Sequence, residues 1–203
     1  MAAILPQHAM LYFIDQDFTK AKLLEAPLQQ GEYENCSFNE LDLSEADFSQ
    51  FRFIKCRFID CNLSLTRLSK TAFQEVQFKT CKMLGWRMDQ CHEFGLSVSF
   101  EQCVLQHASF YKRKLARTRF ENCELQETDF SECDLSHAEF VNCDLNLAVF
   151  SNTNLEKADL RTASRYTIDP EQNRLKRAKF SWPALSGLLH KYDVDLSEDE
   201  EAL

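Results

Sequence analysis

Cysteine, histidine and carboxylate side chains are the residues of this chain able to do chemistry, and their spacing limits which chemistry is open to them. Nine cysteines and five histidines in 203 residues would suit a disulfide framework or a zinc site. No two cysteines make a C-x-x-C pair, and His8, His92, His107, His137 and His190 keep no ligand spacing beside them, so the pattern of a structural zinc site is lacking. Acidic residues are abundant, 32 Asp and Glu against 23 Lys and Arg. Yet no G-x-G-x-x-G, P-loop, H-E-x-x-H or G-x-S-x-G element accompanies them, and catalysis needs a concave, preorganised site. The expectation is a non-enzyme with no catalytic residues, no cofactor and no bound metal.

What the cysteines do share is a rhythm. Large apolar residues recur every fifth position from Phe13, Phe18, Leu23, Leu28, Tyr33 and Phe38 to Met83 and Met88. The beat fails at Glu93, gains two residues, and resumes from Phe100, Leu105 and Phe110 to Leu155 and Leu160. Every cysteine, from Cys36 to Cys143, lies two residues before a position of this beat. A period of five fits neither a helix at 3.6 nor a strand at 2; it describes a chain that turns the same corner repeatedly, which is a solenoid. The position two before the large residue holds mostly Cys, Ala and Thr, as a narrow, filled interior demands, and a free cysteine there is a small buried hydrophobe. Arg113 is the exception, read as a local bulge or as a side chain escaping along its stem.

Four sides of five residues bring residues twenty apart into register, stacking Cys36 with Cys56, Cys61 with Cys81, and Cys103 with Cys123 and Cys143. The elements that position these side chains are therefore those of an all-β solenoid. It divides into an N-terminal cap (1–12), a first block of coils (13–91), a bulge or kink (92–99) containing Phe94 and Gly95, a second block (100–163), and a last part (164–203) with an irregular coil, a helix and an acidic tail. Gly95 supplies a positive φ at the kink, which serves either as a structural joint or as a contact site for a partner. Ser181-Trp182-Pro183 opens a short helix to about Tyr192, with the proline in its first turn. Leu185, Leu188, Leu189 and Tyr192 form its apolar face, and a solenoid needs such a cap on its last coil. Val194 and Leu196 follow as an extra strand. No apolar run approaches the roughly 20 residues that cross a bilayer, and the first residues lack the basic and apolar regions of a secretion signal, so the expected location is cytoplasmic.

Formal charge is −9, unevenly placed. Between Glu121 and Leu160 Lys157 is the sole base among many acids. The residue just before each large apolar one must point outwards, and there the second block carries Glu124, Asp129, Asp134, Glu139, Asp144 and Asp159. Stepping by five moves one side around the coil, so these acids girdle it, with Glu124 stacked on Asp144 and Glu139 on Asp159. Stacked like charges repel, so stability alone does not favour them. Bases dominate from Arg52 to Arg87, and Lys112, Arg113, Lys114, Arg117 and Arg119 form a compact patch. That patch is a solvated face, a protein contact or a nucleic-acid contact; the overall sign argues against general nucleic-acid binding.

Segments such as Ala46-Asp47-Phe48-Ser49, Cys133-Asp134-Leu135-Ser136 and Ala158-Asp159-Leu160 resemble the A(D/N)LXX unit of the pentapeptide-repeat family over about residues 13–163. The resemblance implies a right-handed quadrilateral β-helix. The run Tyr166-Thr167-Ile168-Asp169-Pro170, with Leu185-Ser186-Gly187-Leu188-Leu189, is similar to the end of the topoisomerase-protecting members: the quinolone-resistance Qnr proteins, the microcin immunity protein McbG and the albicidin-resistance protein AlbG. The stretches beginning at Cys61, Cys81 and Leu96 resemble the last of these most. This group implies an acidic, dimeric mimic of duplex DNA that binds DNA gyrase, sometimes topoisomerase IV, and relieves poisoning by an antibiotic or toxin. Its dimer joins through the C-terminal helix, a role that falls here to Leu185, Leu188, Leu189 and Tyr192, and its gyrase-facing acids would be Glu124, Asp129, Asp134, Glu139, Asp144 and Asp159. The alternative is a pentapeptide-repeat scaffold for an unrelated protein partner. Projecting loops of the kind quinolone-protecting members often bear are missing; the insertion at Gly95 is two residues.

Overall fold

In the computed structural model, which describes residues 10–195, residues twenty apart stand directly over one another. Strands β1 (Leu11–Ile14), β3 (Gly31–Glu34), β5 (Arg52–Ile54) and β7 (Ala72–Gln74) pair in parallel as one side of the coil. A second side is a seven-stranded parallel sheet of β2 (Asp17–Phe18), β4 (Ser37–Asn39), β6 (Arg57–Ile59), β8 (Val76–Lys79), β9 (Val98–Glu101), β10 (Arg119–Glu121) and β11 (Glu139–Val141). Two further sides are held by single parallel bridges, Asp42 to Asn62 to Lys82 on one and Ser109 to Asp129 to Val149 on the other. Sequence step and spatial step agree: Glu124, Asp129, Asp134 and Glu139, five residues apart, pair with Asp144, Val149, Asn154 and Asp159 on four successive sides. This is an all-β solenoid, as the beat requires, with the four sides that the family resemblance implies.

The large residue of each side points inward and is sealed. Phe18, Phe38, Phe58, Phe78, Phe100, Phe120 and Phe140 make one column, with ring centroids 4.4 Å apart at Phe38–Phe58 and 5.0 Å at Phe120–Phe140. Rings on neighbouring sides meet edge to face, as Phe110 and Phe120 do at 5.9 Å; both arrangements suit the ring quadrupole. Between sides the chain turns on a residue with positive φ, and these are almost all non-glycine: Leu65 at 58°, Lys112 at 60°, Leu147 at 59°. Each costs about 1 kcal/mol or more, so burial and ladder hydrogen bonds must hold the corner shut.

All nine cysteines are buried with free thiols, and their position has a role beyond small size. Each thiol except that of Cys91 donates to the carbonyl of the large residue one coil below: Cys56 to Tyr33, Cys61 to Phe38, Cys123 to Phe100. Thr71, Thr128 and Thr153 do the same through their hydroxyls. Burial pushes the Cys56 and Cys133 thiols up to about 12.

Three expectations need correction. Leu11 and Tyr12 belong to β1 rather than to a cap; residues 1–9, the rest of that cap, lie outside the described residues. Leu23 and Leu28 keep the beat without forming coil sides, because Lys20–Glu25 folds as helix α1. Lys20-Ala21-Lys22-Leu23-Leu24 is a run of good helix formers, so the local preference prevails over a coil side, and Leu23 still packs on the core. At the other end the helix to Tyr192 is three short turns: a 3-10 turn at Trp182–Ala184, helix α2 (Ser186–Leu189) and a 3-10 turn at His190–Tyr192. Leu196 and the acidic tail lie outside the described residues.

Candidate functional site

The surface that could act on a partner is the outward-facing row of the second block, and the turn geometry explains its residue types. An Asp or Asn just before the large residue accepts, through Oδ1, the backbone N–H two residues on. Ser131 donates to Asp129, Ser136 to Asp134, Asn146 to Asp144 and Arg161 to Asp159, at 2.9–3.2 Å. Asn62 and Asn154 do so equally. These are side-chain-closed turns. Stability therefore favours Asp or Asn here, against the expectation that it does not favour these acids, though the turn needs only the oxygen and not the charge.

The charge is also more compensated than the composition of 121–160 suggests. Bases from flanking coils stack onto the acids: Arg119 pairs with Glu139 and, at 3.0 Å, with Glu121. Arg165 pairs with Asp144, and Arg161 and Lys179 lie 2.7 and 3.6 Å from Asp159. The Arg161 guanidinium holds the Asp159 carboxyl down at about 2. At the corners His107 faces Glu127 and Lys112 faces Glu132. Of the six candidate acids, Glu124, Asp129 and Asp134 have no cation within salt-bridge range among the described residues. Gln106 donates to Glu124, and Asn154 to Asp134. These three lie on three successive sides of a single coil, a half-belt of uncompensated carboxylate.

The basic patch at 112–119 is drawn apart by its pairings. Lys112 goes to Glu132, Lys114 to Glu93 at 2.9 Å, and Arg119 to Glu121 and Glu139. Arg113 turns its guanidinium back toward the coil: Nη1 donates to the Cys91 carbonyl at 3.2 Å and Nε to the Tyr111 carbonyl. The two-residue excess lies between His92, which still bonds Thr71, and Ser97, which bonds Phe73. It ends the β1-β3-β5-β7 side, lifts Phe94 to 79% exposure and puts Gly95 at φ 74°.

At the C-terminus Leu188 is half-buried against the core of the last coil, so part of the helix face is the cap itself. Leu185 and Leu189 are also half-buried, and Tyr192 is exposed with its hydroxyl donating to Glu171. Trp182, read from the sequence only as part of the helix start, is 86% exposed, and Val194, after the last turn, is exposed too. Among the described residues no three His, Cys, Asp or Glu side chains gather as a polydentate metal centre, and no helix is long and apolar enough to cross a membrane.

A family model described as a pentapeptide repeat region matches residues 31–92, 96–164 and 113–187. The chain belongs to the pentapeptide-repeat family. Solved structures of similar fold include trypsin-treated QnrB1, a plasmid-mediated fluoroquinolone resistance protein, at 20% identity over 93% of this chain and 98% of that one, with a TM-score of 0.46. HetL, a pentapeptide repeat protein involved in heterocyst differentiation regulation from the cyanobacterium Nostoc, matches at 14% over 79% and 92%, with 0.34. Rfr23 from the cyanobacterium Cyanothece matches at 22% over 52% and 88%, with 0.24. No curated protein matches this chain.

The Asp159 cluster sets a pH dependence for this member of the family. A carboxyl held low in the fold and near 3.9 when unfolded binds more protons in the unfolded state through that interval, so its stabilising effect is full above about pH 4 and is lost as pH falls toward 2. Asp159→Asn should lower the melting temperature at pH 7, by an amount that shrinks to nothing near pH 2. An equal deficit at both pH values would show that the charge of Asp159, and with it the pairing to Arg161 and Lys179, is not what stabilises the fold.

Proposed function

We propose that this chain is a non-catalytic protein that binds DNA gyrase, or the related topoisomerase IV, as a mimic of duplex DNA and protects it from an antibiotic or toxin. The half-belt of Glu124, Asp129 and Asp134 carries the reading. Asparagine would close the turns at Asp129 and Asp134 as well, and like charges on one coil repel, so the negative charge is left for a partner with a basic surface. B-DNA carries one charge per about 1.7 Å of axis, and a regular rod with carboxylates on successive sides offers a sparser version of that field. The resemblance of residues 166–175 and 185–192 to the topoisomerase-protecting members supports the identity of the partner. Association would be steered by charge and weaken with salt.

The subunit would pair with a second copy through its C-terminal turns. Leu185, Leu189 and Tyr192, with the exposed Trp182 and Val194, supply an apolar end that a soluble protein ordinarily covers. Leu188 contributes through the cap beneath.

A scaffold for an unrelated partner is the second reading. The internal pairing of Glu139, Asp144 and Asp159 favours it, since it halves the free charge a DNA-binding saddle would meet.

Gyrase supercoiling and drug-stabilised cleavage, titrated with the protein, separate the two. The triple variant Glu124→Gln, Asp129→Asn, Asp134→Asn keeps the turn acceptors and should retain the parent's melting temperature while losing about tenfold or more in affinity, a difference of about 1.4 kcal/mol. Undiminished action of this variant would remove the half-belt from the interface; no binding of the parent to either topoisomerase at micromolar protein would leave the scaffold. For the dimer, light scattering should give twice the 23.7 kDa chain mass for the parent and the single mass for Trp182→Ala with Leu189→Glu. A monomeric parent contradicts the pairing.

A further inference from the structure

Five of the buried thiols form one continuous column. Cys61, Cys81, Cys103, Cys123 and Cys143 occupy the same inward position on successive coils, under the bridges that join Asn62, Lys82, Val104, Glu124 and Asp144. Leu41 closes the column below and Ala163 above. Each sulfur sits on the equivalent carbonyl of the coil beneath at nearly the same distance: 3.3 Å from Phe38, 3.4 from Phe58, 3.4 from Phe78, 3.6 from Phe100 and 3.4 from Phe120. One rotamer is thus repeated five times, and the sulfurs are separated by the coil spacing itself. That spacing is about 4.8 Å for paired strands, in keeping with the 5.0–5.4 Å between stacked rings of the same coils.

This separation is wrong for a disulfide and right for a metal between two sulfurs. A disulfide wants Cβ atoms about 3.5–4.5 Å apart and sulfurs about 2.05 Å apart, which stacked, parallel side chains cannot reach without squeezing the coils. A metal–thiolate bond is about 2.3 Å, so a linear S–M–S unit spans about 4.6 Å. Soft thiolates select soft d10 ions such as Cu(I). A surface hollow of about 380 Å³ that has Cys61 in its lining also carries Glu40, Asp42, Asp60 and Lys82.

We infer that the cysteine column is a binding site for monovalent coinage-metal ions, Cu(I) or Ag(I), each held linearly between two successive sulfurs. Five sulfurs bound four intervals, but a thiolate bonded to ions above and below it in a straight column would need a linear M–S–M angle. Bridging thiolates are bent, so only non-adjacent intervals fill and two ions complete the column. Each M⁺ displaces one thiol proton and leaves the second sulfur of its interval a neutral thiol, so every filled interval is neutral and the apolar core receives no net charge. A divalent ion would need both sulfurs of its interval as thiolates. Cys36 and Cys56, stacked on the neighbouring side with thiols on Phe13 and Tyr33, make one further linear site. Cys91 lies between Thr71 and Arg113 in its own stack and has no thiol neighbour.

Native mass spectrometry of the full chain, titrated with silver nitrate in chloride-free buffer, tests this. The expected occupancy is three Ag⁺ per folded chain, with a rise in melting temperature and proton release that favours uptake at higher pH. Cys123→Ala strands Cys143 and should lower the count to two, whereas Cys103→Ala leaves the pairs Cys61–Cys81 and Cys123–Cys143 intact and should keep it at three. Alanine fills this position at Ala108, Ala138 and Ala158, so the coil accepts it. Cys91→Ala should also leave the count at three. Absence of uptake by the folded parent, or a count that Cys123→Ala leaves unchanged, would overturn the assignment.

Discussion

Each coil of this rod is held by the coil beneath it, so every coil must spend the same number of residues on its circuit. That twenty-residue register is the constraint on which the rest depends. It aligns the ladder bonds on four sides, stacks ring on ring in the Phe18 to Phe140 column, and repeats the positive-φ corner that only burial and hydrogen bonding hold closed. The same translation sets like residues over like. It makes cysteine a natural choice where a small side chain must also donate to a carbonyl below, and Asp or Asn a natural choice where a turn needs an acceptor.

One break in the register shows how strictly it is kept. The extra residues between His92 and Ser97 raise one side of one coil, and Lys114 then makes no backbone hydrogen bond to it. A Cys91 carbonyl left bare in the interior would cost about 1–3 kcal/mol. Arg113 supplies the missing donor from its side chain, with Lys114 tied to Glu93 outside. The one charged residue at a position otherwise small or apolar is thus the repair of the kink. Phe94 and Gly95 are the outward sign of it, and the remaining three sides continue in register across the break.

The solenoid was legible because its core asks one large residue of every side, and that demand is written along the chain from Tyr33 to Leu160. Leu23 and Leu28 misled for the same reason. An inward residue every five positions is compatible with a coil side or with a short helix packed on the core, and at 20–25 the run of helix formers decides for the helix. The acids were legible as outward-facing but not as paired, since Arg119, Arg165 and Lys179 lie twenty or so residues from Glu139, Asp144 and Asp159. Counting by twenty, which finds the cysteine stacks, would have found those pairs too. The turn bonds of Asp129 and Asp134 leave no mark in the charge pattern, because they need only the side-chain oxygen. Trp182 stands at the start of the C-terminal turns, outside their leucine face, so periodicity gives no sign of its exposure.

Register is tested most directly at the kink, by a double-mutant cycle read in urea unfolding. Deleting Glu93 and Leu96 puts Phe94 at the inward position, restores the twenty-residue circuit and returns the Lys114 N–H to the Cys91 carbonyl. Arg113→Ala should then destabilise the parent by about 1–3 kcal/mol and the deletion variant hardly at all, because the donor it removes is no longer needed. An equal loss in both backgrounds, or a deletion variant that does not fold, would contradict the account of a rod governed by its register.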